Sequence, residues 1–68
     1  MLRSDAGFGL ALQHVGSTDP RRRSMAALAL GDIARTDAQA SLAPLLSDTV
    51  PEARLAGATA LLQIGTSR

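Results

Sequence analysis

The sequence predicts an all-α fold, an α–α superhelix of about four helices in two antiparallel pairs. Three observations carry this. Ala and Leu dominate the apolar residues, Phe8 is the one aromatic, and β-branched residues are few, which favours helix over strand. The chain repeats itself at a spacing of 31 residues, Thr18 aligning with Thr49. Each copy carries a proline, Pro20 or Pro51, where a helix start tolerates one, because the first turn leaves its N–H groups unbonded and proline presets φ.

The repeat is the strongest signal, and repeats of this length mark stacked helical units. Thr18 to Ile33 overlies Thr49 to Ile64 with seven identities in 16 positions: Thr18/Thr49, Pro20/Pro51, Arg23/Arg54, Ala27/Ala58, Ala29/Ala60, Leu30/Leu61 and Ile33/Ile64. An Ala-rich composition produces chance Ala matches but not matched Pro, Arg and Ile.

Each element has a local rationale. A first helix over 4–16 would pack with Phe8, Ala11, Leu12 and Val15, although Gly7 and Gly9 each weaken it by about 1 kcal/mol relative to Ala. A second helix starts at Pro20 with Asp19 as its cap and ends before Thr36-Asp37; its apolar stripe is Ala27, Leu30 and Ile33 with Ala34. Asp37 reads as the cap of the next helix, over Ala38 to Ser47, which packs with Leu42, Leu45 and Leu46 and must accommodate Pro44 near its start or as a kink. Thr49 with Glu52 forms a capping box for the last helix, whose stripe is Ala58, Leu61 and Ile64 with Gly65, the glycine also serving as C-cap. The chain is thus one small domain over residues 1–68, divided into units at 4–35 and 37–65.

The runs Leu42-Ala43-Pro44-Leu45-Leu46-Ser47-Asp48, Pro51-Glu52-Ala53-Arg54 and Ala58-Thr59-Ala60-Leu61-Leu62-Gln63-Ile64-Gly65 resemble tandem HEAT-like repeats of the short, phycobilisome-lyase type. The resemblance spans roughly residues 8–65 and implies a solenoid used for protein–protein contact. It also implies a ladder between repeats, an Asp closing one loop with an Arg six residues on. Asp48 and Arg54 have that spacing, Arg23 holds the Arg place of the first copy, and Ser17 stands where its Asp belongs. Asp48 is expected to take Arg23 or Arg54 as its partner.

Function classes narrow by exclusion. There is no cysteine, and His14 is the sole histidine, without a second histidine or a carboxylate at ligand spacing; it reads as a surface or interface residue, and no metal or cofactor is expected. Ser17, Ser24 and Thr59 have no neighbouring base, so nucleophilic catalysis has no support. Gly7-Phe8-Gly9 lacks the strand context of a phosphate loop. Bilin lyase chemistry, which the resemblance's name suggests, finds no Cys, Tyr or Trp and too little chain to enclose a chromophore. Met25 reads as core or interface filler, and Asp32 as solvent-facing. Arg3 and Asp5 interrupt any apolar leader, and no run approaches the roughly 18 apolar residues of a membrane span; a soluble, cytoplasmic protein is the expectation.

A net charge of +1 gives no global attraction to nucleic acid. Arg21-Arg22-Arg23 is the one charge run, and a nucleic-acid reading would use Arg21, Arg22 and Arg35. Against it, no aromatic residues interleave for base stacking. The favoured expectation is a protein-interaction or scaffolding module, with no catalysis of its own. Its partner-facing residues would be Arg21, Arg22, Leu28, Asp32, Glu52, Thr59 and Gln63. Two repeats cannot cover Leu42, Leu46, Leu55, Leu61 and Leu62 together, so the chain is expected to self-associate through the exposed face or to belong to a longer array.

Overall fold

The computed structural model describes residues 3–66, with side chains from residue 7. It holds four α-helices: α1 (Arg3–His14), α2 (Pro20–Ile33), α3 (Gln39–Leu42) and α4 (Pro51–Thr66), with 3₁₀ segments at Thr36–Ala38 and Ala43–Ser47 on either side of α3. The chain is all-α, as expected, and α1 lies close to its expected bounds. α2 packs on α4 over the largest interface; α1 covers one side of α2, and α3 with the 3₁₀ segment after it covers α4. The molecule measures 35 × 23 × 15 Å. A helix with its side chains is about 10–12 Å across, so a slab this thin cannot enclose both faces of α2 and α4.

The core is a line of small and medium residues: Phe8, Ala11, Ala26, Ala27, Leu30, Ala38, Leu42, Leu45, Ala56, Ala60 and Ile64, with Leu12, Val15, Ile33 and Leu61 packed against it. The expected face of α1 is therefore the packing face. Over the ring of Phe8 sits the Arg35 guanidinium, 4.0 Å from the centroid, a geometry in which the ring's quadrupole attracts the cation.

Three helix boundaries differ from expectation. α2 stops at Ile33, and Ala34 turns into the left-handed region (φ 59°, ψ 37°) while its N–H donates to Leu30 O at 3.0 Å. Ala34 is thus a C-cap rather than a member of the apolar stripe. Asp37 lies inside the 3₁₀ turn and pairs with Arg35 at 2.8 Å instead of capping a helix. Gly65 is not a C-cap either, because α4 continues through Thr66 and no glycine in the described residues has positive φ.

The expected helix over Ala38–Ser47 is broken. Pro44 sits at the start of the second 3₁₀ segment, where its missing N–H and its ring disrupt α-helical bonding to the preceding turn. In a 3₁₀-helix residues three apart eclipse one another. Leu42 and Leu45 are accordingly both buried, whereas Leu46, one step on, is 49% exposed. Ala38 takes the buried place expected of Leu46.

The stripe of α4 is also rotated from expectation. Its buried residues are Ala53, Ala56, Gly57, Ala60 and Ile64, while Ala58 and Gly65 are exposed and Leu61 is half-buried. Ala27 and Leu30, their first-copy counterparts, are fully buried. The identical residues occupy equivalent positions in unequal surroundings: α2 has α1 on one side and α4 on another, but α4 has neighbours only toward α2 and α3.

Candidate interaction surface and repeat junction

The two inter-helix loops are built alike. Ser17 Oγ accepts from the Asp19 N–H at 3.0 Å, and 31 residues later Asp48 Oδ1 accepts from the Val50 N–H at 2.9 Å. Arg23 Nη1 donates to Ser17 O at 3.0 Å, and Arg54 Nη1 donates to Asp48 O at 2.8 Å. In each loop, therefore, a side-chain oxygen tightens the turn and an arginine six residues on clamps the carbonyl of the same residue. Short polar side chains close turns in this way because they reach the backbone two residues ahead.

Only the second loop can do more. Asp48 has a carboxylate where Ser17 has a hydroxyl, and Arg23 of the first repeat reaches it with two parallel bonds, Nε to Oδ2 at 2.8 Å and Nη2 to Oδ1 at 2.9 Å. The two side chains are 17% and 9% exposed. The hydrogen bond from Arg23 holds the Asp48 carboxyl below its ordinary pKa; the Val50 N–H adds to this, partial desolvation opposes it, and the nearby charges of Arg23 and Arg54 assist. Asp48 thus takes Arg23 through its carboxylate, and Arg54 through its main-chain carbonyl.

Helix starts complete the junction. Asp19 caps α2, its Oδ1 accepting from the Arg21 N–H at 3.0 Å, and its Oδ2 lies 3.9 Å from Arg22 Nε. That carboxylate offsets the placement of arginines at a helix N-terminus, where the dipole is unfavourable to cations. For α4 the expected capping box does not form as drawn. The helix begins at Pro51, and Val50 O accepts from the Ala53 and Arg54 N–H groups at 3.0 and 3.1 Å. Val50 is thus the N-cap residue, and Asp48 supplies the side-chain oxygen.

Two glycines that the repeat alignment did not single out set the helix spacing. A Cβ at Gly31 would stand 2.8 Å from Ala60 Cα and would collide with the Gln63 carboxamide; a Cβ at Gly57 would stand 2.7 Å from Leu45 Cβ. α2 and α4 therefore cross with backbone nearly against backbone at Gly31 and Ala60. For Gly57 a signal existed: its counterpart Ala26 is also small, and both are buried. Gly31 had none, since Leu62 is its counterpart.

Arg21, Arg22, Leu28, Asp32, Glu52, Thr59 and Gln63 are all exposed. Arg21 and Glu52 line one groove with Pro20, Ser24, Met25 and Val50, between the starts of α2 and α4. Arg22 lies instead in a separate groove between α1 and α2, with Leu10, His14, Met25 and Ala29. Gln63 lies over Gly31. Met25, at 71% exposure, is no core residue. Among the described residues no group of three or more His, Cys, Asp or Glu side chains is placed to hold a metal ion, and no helix is long and apolar enough to cross a membrane.

Two antiparallel helix pairs, repeated at 31 residues and clamped by an arginine–aspartate contact, coincide with the comparison to known families: a model described as HEAT repeats matches residues 9–68. The chain belongs to the HEAT-repeat family. The match includes most of the first repeat, in which only the leading helix, with its two glycines, departs from the second copy's pattern. No curated protein and no solved structure matches the chain. HEAT repeats mediate protein–protein contact and scaffolding in general, and in this one the exposed surface consists of helix faces and shallow grooves.

Proposed function

We propose that this HEAT-repeat chain is a protein-docking module that presents α2 and α4 side by side to a partner, and that it works by binding rather than catalysis. The observation that carries the reading is the matched pair of exposed rows, Arg21, Leu28 and Asp32 on α2 with Glu52, Thr59 and Gln63 on α4. Each residue of one row is the 31-residue counterpart of one in the other, and the two helices form the largest interface in the molecule. Rows of mixed charge with an apolar centre suit a polar-rimmed protein contact. Arg22, in the α1–α2 groove, stands at the margin of this face. The 31-residue spacing supports assignment to the short, phycobilisome-lyase-type units, and the reading places the chain in the cytoplasm.

Nucleic acid is the weaker alternative. Arg35 is held over Phe8 and paired with Asp37. Arg21 lies 14 positions earlier, about 20 Å away at the helical rise, and opens into a groove shared with Glu52. The arginines thus form no continuous cationic track of the kind that follows a phosphate backbone.

The test is affinity capture from the source cell with the immobilised chain, comparing wild type with Leu28→Asp and Thr59→Arg. A partner retained by wild type and lost by both variants supports the face. Retention unchanged by both removes it. A duplex-DNA titration at low salt should show no binding; a salt-sensitive shift would favour the alternative.

A further inference from the structure

We propose that the outer face of α4 is a self-association seam, and that its occupant is α4 of a second copy lying antiparallel across a two-fold axis near Ala58 and Thr59. The proposal rests on the protein-docking reading and names one partner for it. Leu55 and Leu62 are 69% and 67% exposed, and Ala58 and Gly65 beside them are exposed too. Leu55, Ala58, Leu62 and Gly65 succeed one another at steps of three, four and three, the spacing of a helix seam that meets another helix lengthwise. From Leu55 to Thr66 the helix carries no charged residue. A helix face kept free of charge over three turns, with two leucines standing out of it, is suited to another apolar surface rather than to water.

The repeat itself argues against the other occupants. Leu55, Ala58 and Leu62 are the counterparts of Ser24, Ala27 and Gly31, on the side of α2 where Gly31 meets α4. There the crossing depends on Gly31, because a Cβ would stand 2.8 Å from Ala60 Cα. Leu62 at the corresponding place holds any neighbour farther off, so a further unit cannot stack on α4 with the crossing that joins the first two. A second copy stacked head to tail fares worse. It would bring its α2 residues Arg22, Met25, Ala29 and Asp32, the counterparts of Ala53, Ala56, Ala60 and Gln63, onto a face with no charge to pair with Arg22 or Asp32. Covering unpaired charges is costly.

Two copies of α4 avoid both problems. In the antiparallel arrangement Leu55 of one copy lies beside Leu62 of the other, and the small Ala58 residues meet near the axis. Glu52 and Arg54, the charges of α4, then fall next to the uncharged end of the opposite helix. A parallel pair would set each against its like and align the helix dipoles unfavourably.

Sedimentation equilibrium of the whole chain over a wide concentration range tests the pairing. The expected result is a concentration-dependent mass of two chains, reduced to one chain in Leu55→Glu/Leu62→Glu. Both leucines are solvent-exposed, so circular dichroism should show the variant as helical as wild type. The chain has no cysteine of its own. Ala58→Cys should therefore oxidise to a covalent dimer, while Leu28→Cys, on the docking face, should not. A wild-type chain of single mass at every concentration overturns the pairing, as does a dimer indifferent to the glutamates. A mixed crosslink between Leu62→Cys and Met25→Cys would replace it with head-to-tail stacking. Capture through Leu28 and Thr59, repeated in the double-glutamate variant, reads the docking face independently, so failure of one leaves the other standing.

Discussion

Arg23 and Asp48 join the two repeats through a bidentate contact of 2.8 and 2.9 Å, while Arg23 also clamps the carbonyls of Ser17 and Thr18 at 3.0 and 3.2 Å. One guanidinium therefore ties its own loop and the loop of the next repeat together. The fork shape of arginine makes this arrangement available, and a lysine ammonium cannot reproduce it. Because Ser17 lacks a carboxylate, no equivalent contact faces the opposite direction.

The contact carries a pH signature. Asp48 has a lowered pKa in the folded state, chiefly through its hydrogen bond from Arg23. A group with a folded pKa below its unfolded value contributes stability that is complete above the unfolded value, about 3.9 for Asp, and is lost as pH falls through the folded one. Melting temperature should thus be insensitive to this residue's titration from pH 7 to about 5 and should fall in acid. Asp48→Asn should melt lower than wild type at pH 7, and the gap should narrow below pH 4 or so. A gap of constant size across the acid range would show that the carboxylate charge is irrelevant.

Glycine-to-alanine changes should separate by sign. Gly31→Ala and Gly57→Ala each force a Cβ against α4 or against Leu45 and should cost about 1–3 kcal/mol, as overpacking does. At Gly7 and Gly9 a Cβ meets nothing within 4 Å, so alanine there should stabilise α1 by about 1 kcal/mol each. Urea denaturation followed by circular dichroism measures both. Equal effects at all four sites would refute the close helix crossing.

Ala34 is the one non-glycine residue with positive φ among those described. An L-residue pays a steric cost in that region that glycine avoids. Ala34→Gly should therefore raise stability by about 0.5–1 kcal/mol, although glycine lowers it at most helical sites. A lower urea midpoint for this variant would show that the methyl group's packing outweighs the backbone strain.

The proline break between α3 and the following 3₁₀ segment predicts unequal leucines. Leu42 is fully buried, and Leu42→Ala should cost about 2–5 kcal/mol, comparable to the whole stability of so small a domain. Leu46→Ala should change stability by no more than about 0.5 kcal/mol, as surface substitutions do. A regular α-helix through Pro44 would make Leu46 a core residue, and two similar losses would argue for it.

Much of this was legible before the fold was known. The Ala- and Leu-rich composition, the Pro20 and Pro51 helix starts and the matched Arg23 and Arg54 are local properties, read from neighbours in the chain. Residues missed or misplaced depend on distant ones. Gly31 matters because Ala60 lies against it, Leu46 turns outward because Pro44 changes the helical period, and Asp48 chooses between two arginines according to loop geometry.

By itself the sequence determined the helical class, the 31-residue unit and the start of each long helix, because propensity, capping and period act within a few residues. The tertiary structure alone decided which side of each helix is buried. Ala27 and Ala58 are the same residue in the same repeat position, yet one is enclosed and the other faces water. The physical reason is that burial belongs to the pair of surfaces in contact: α2 has neighbours on two sides, and α4 has its outer side open.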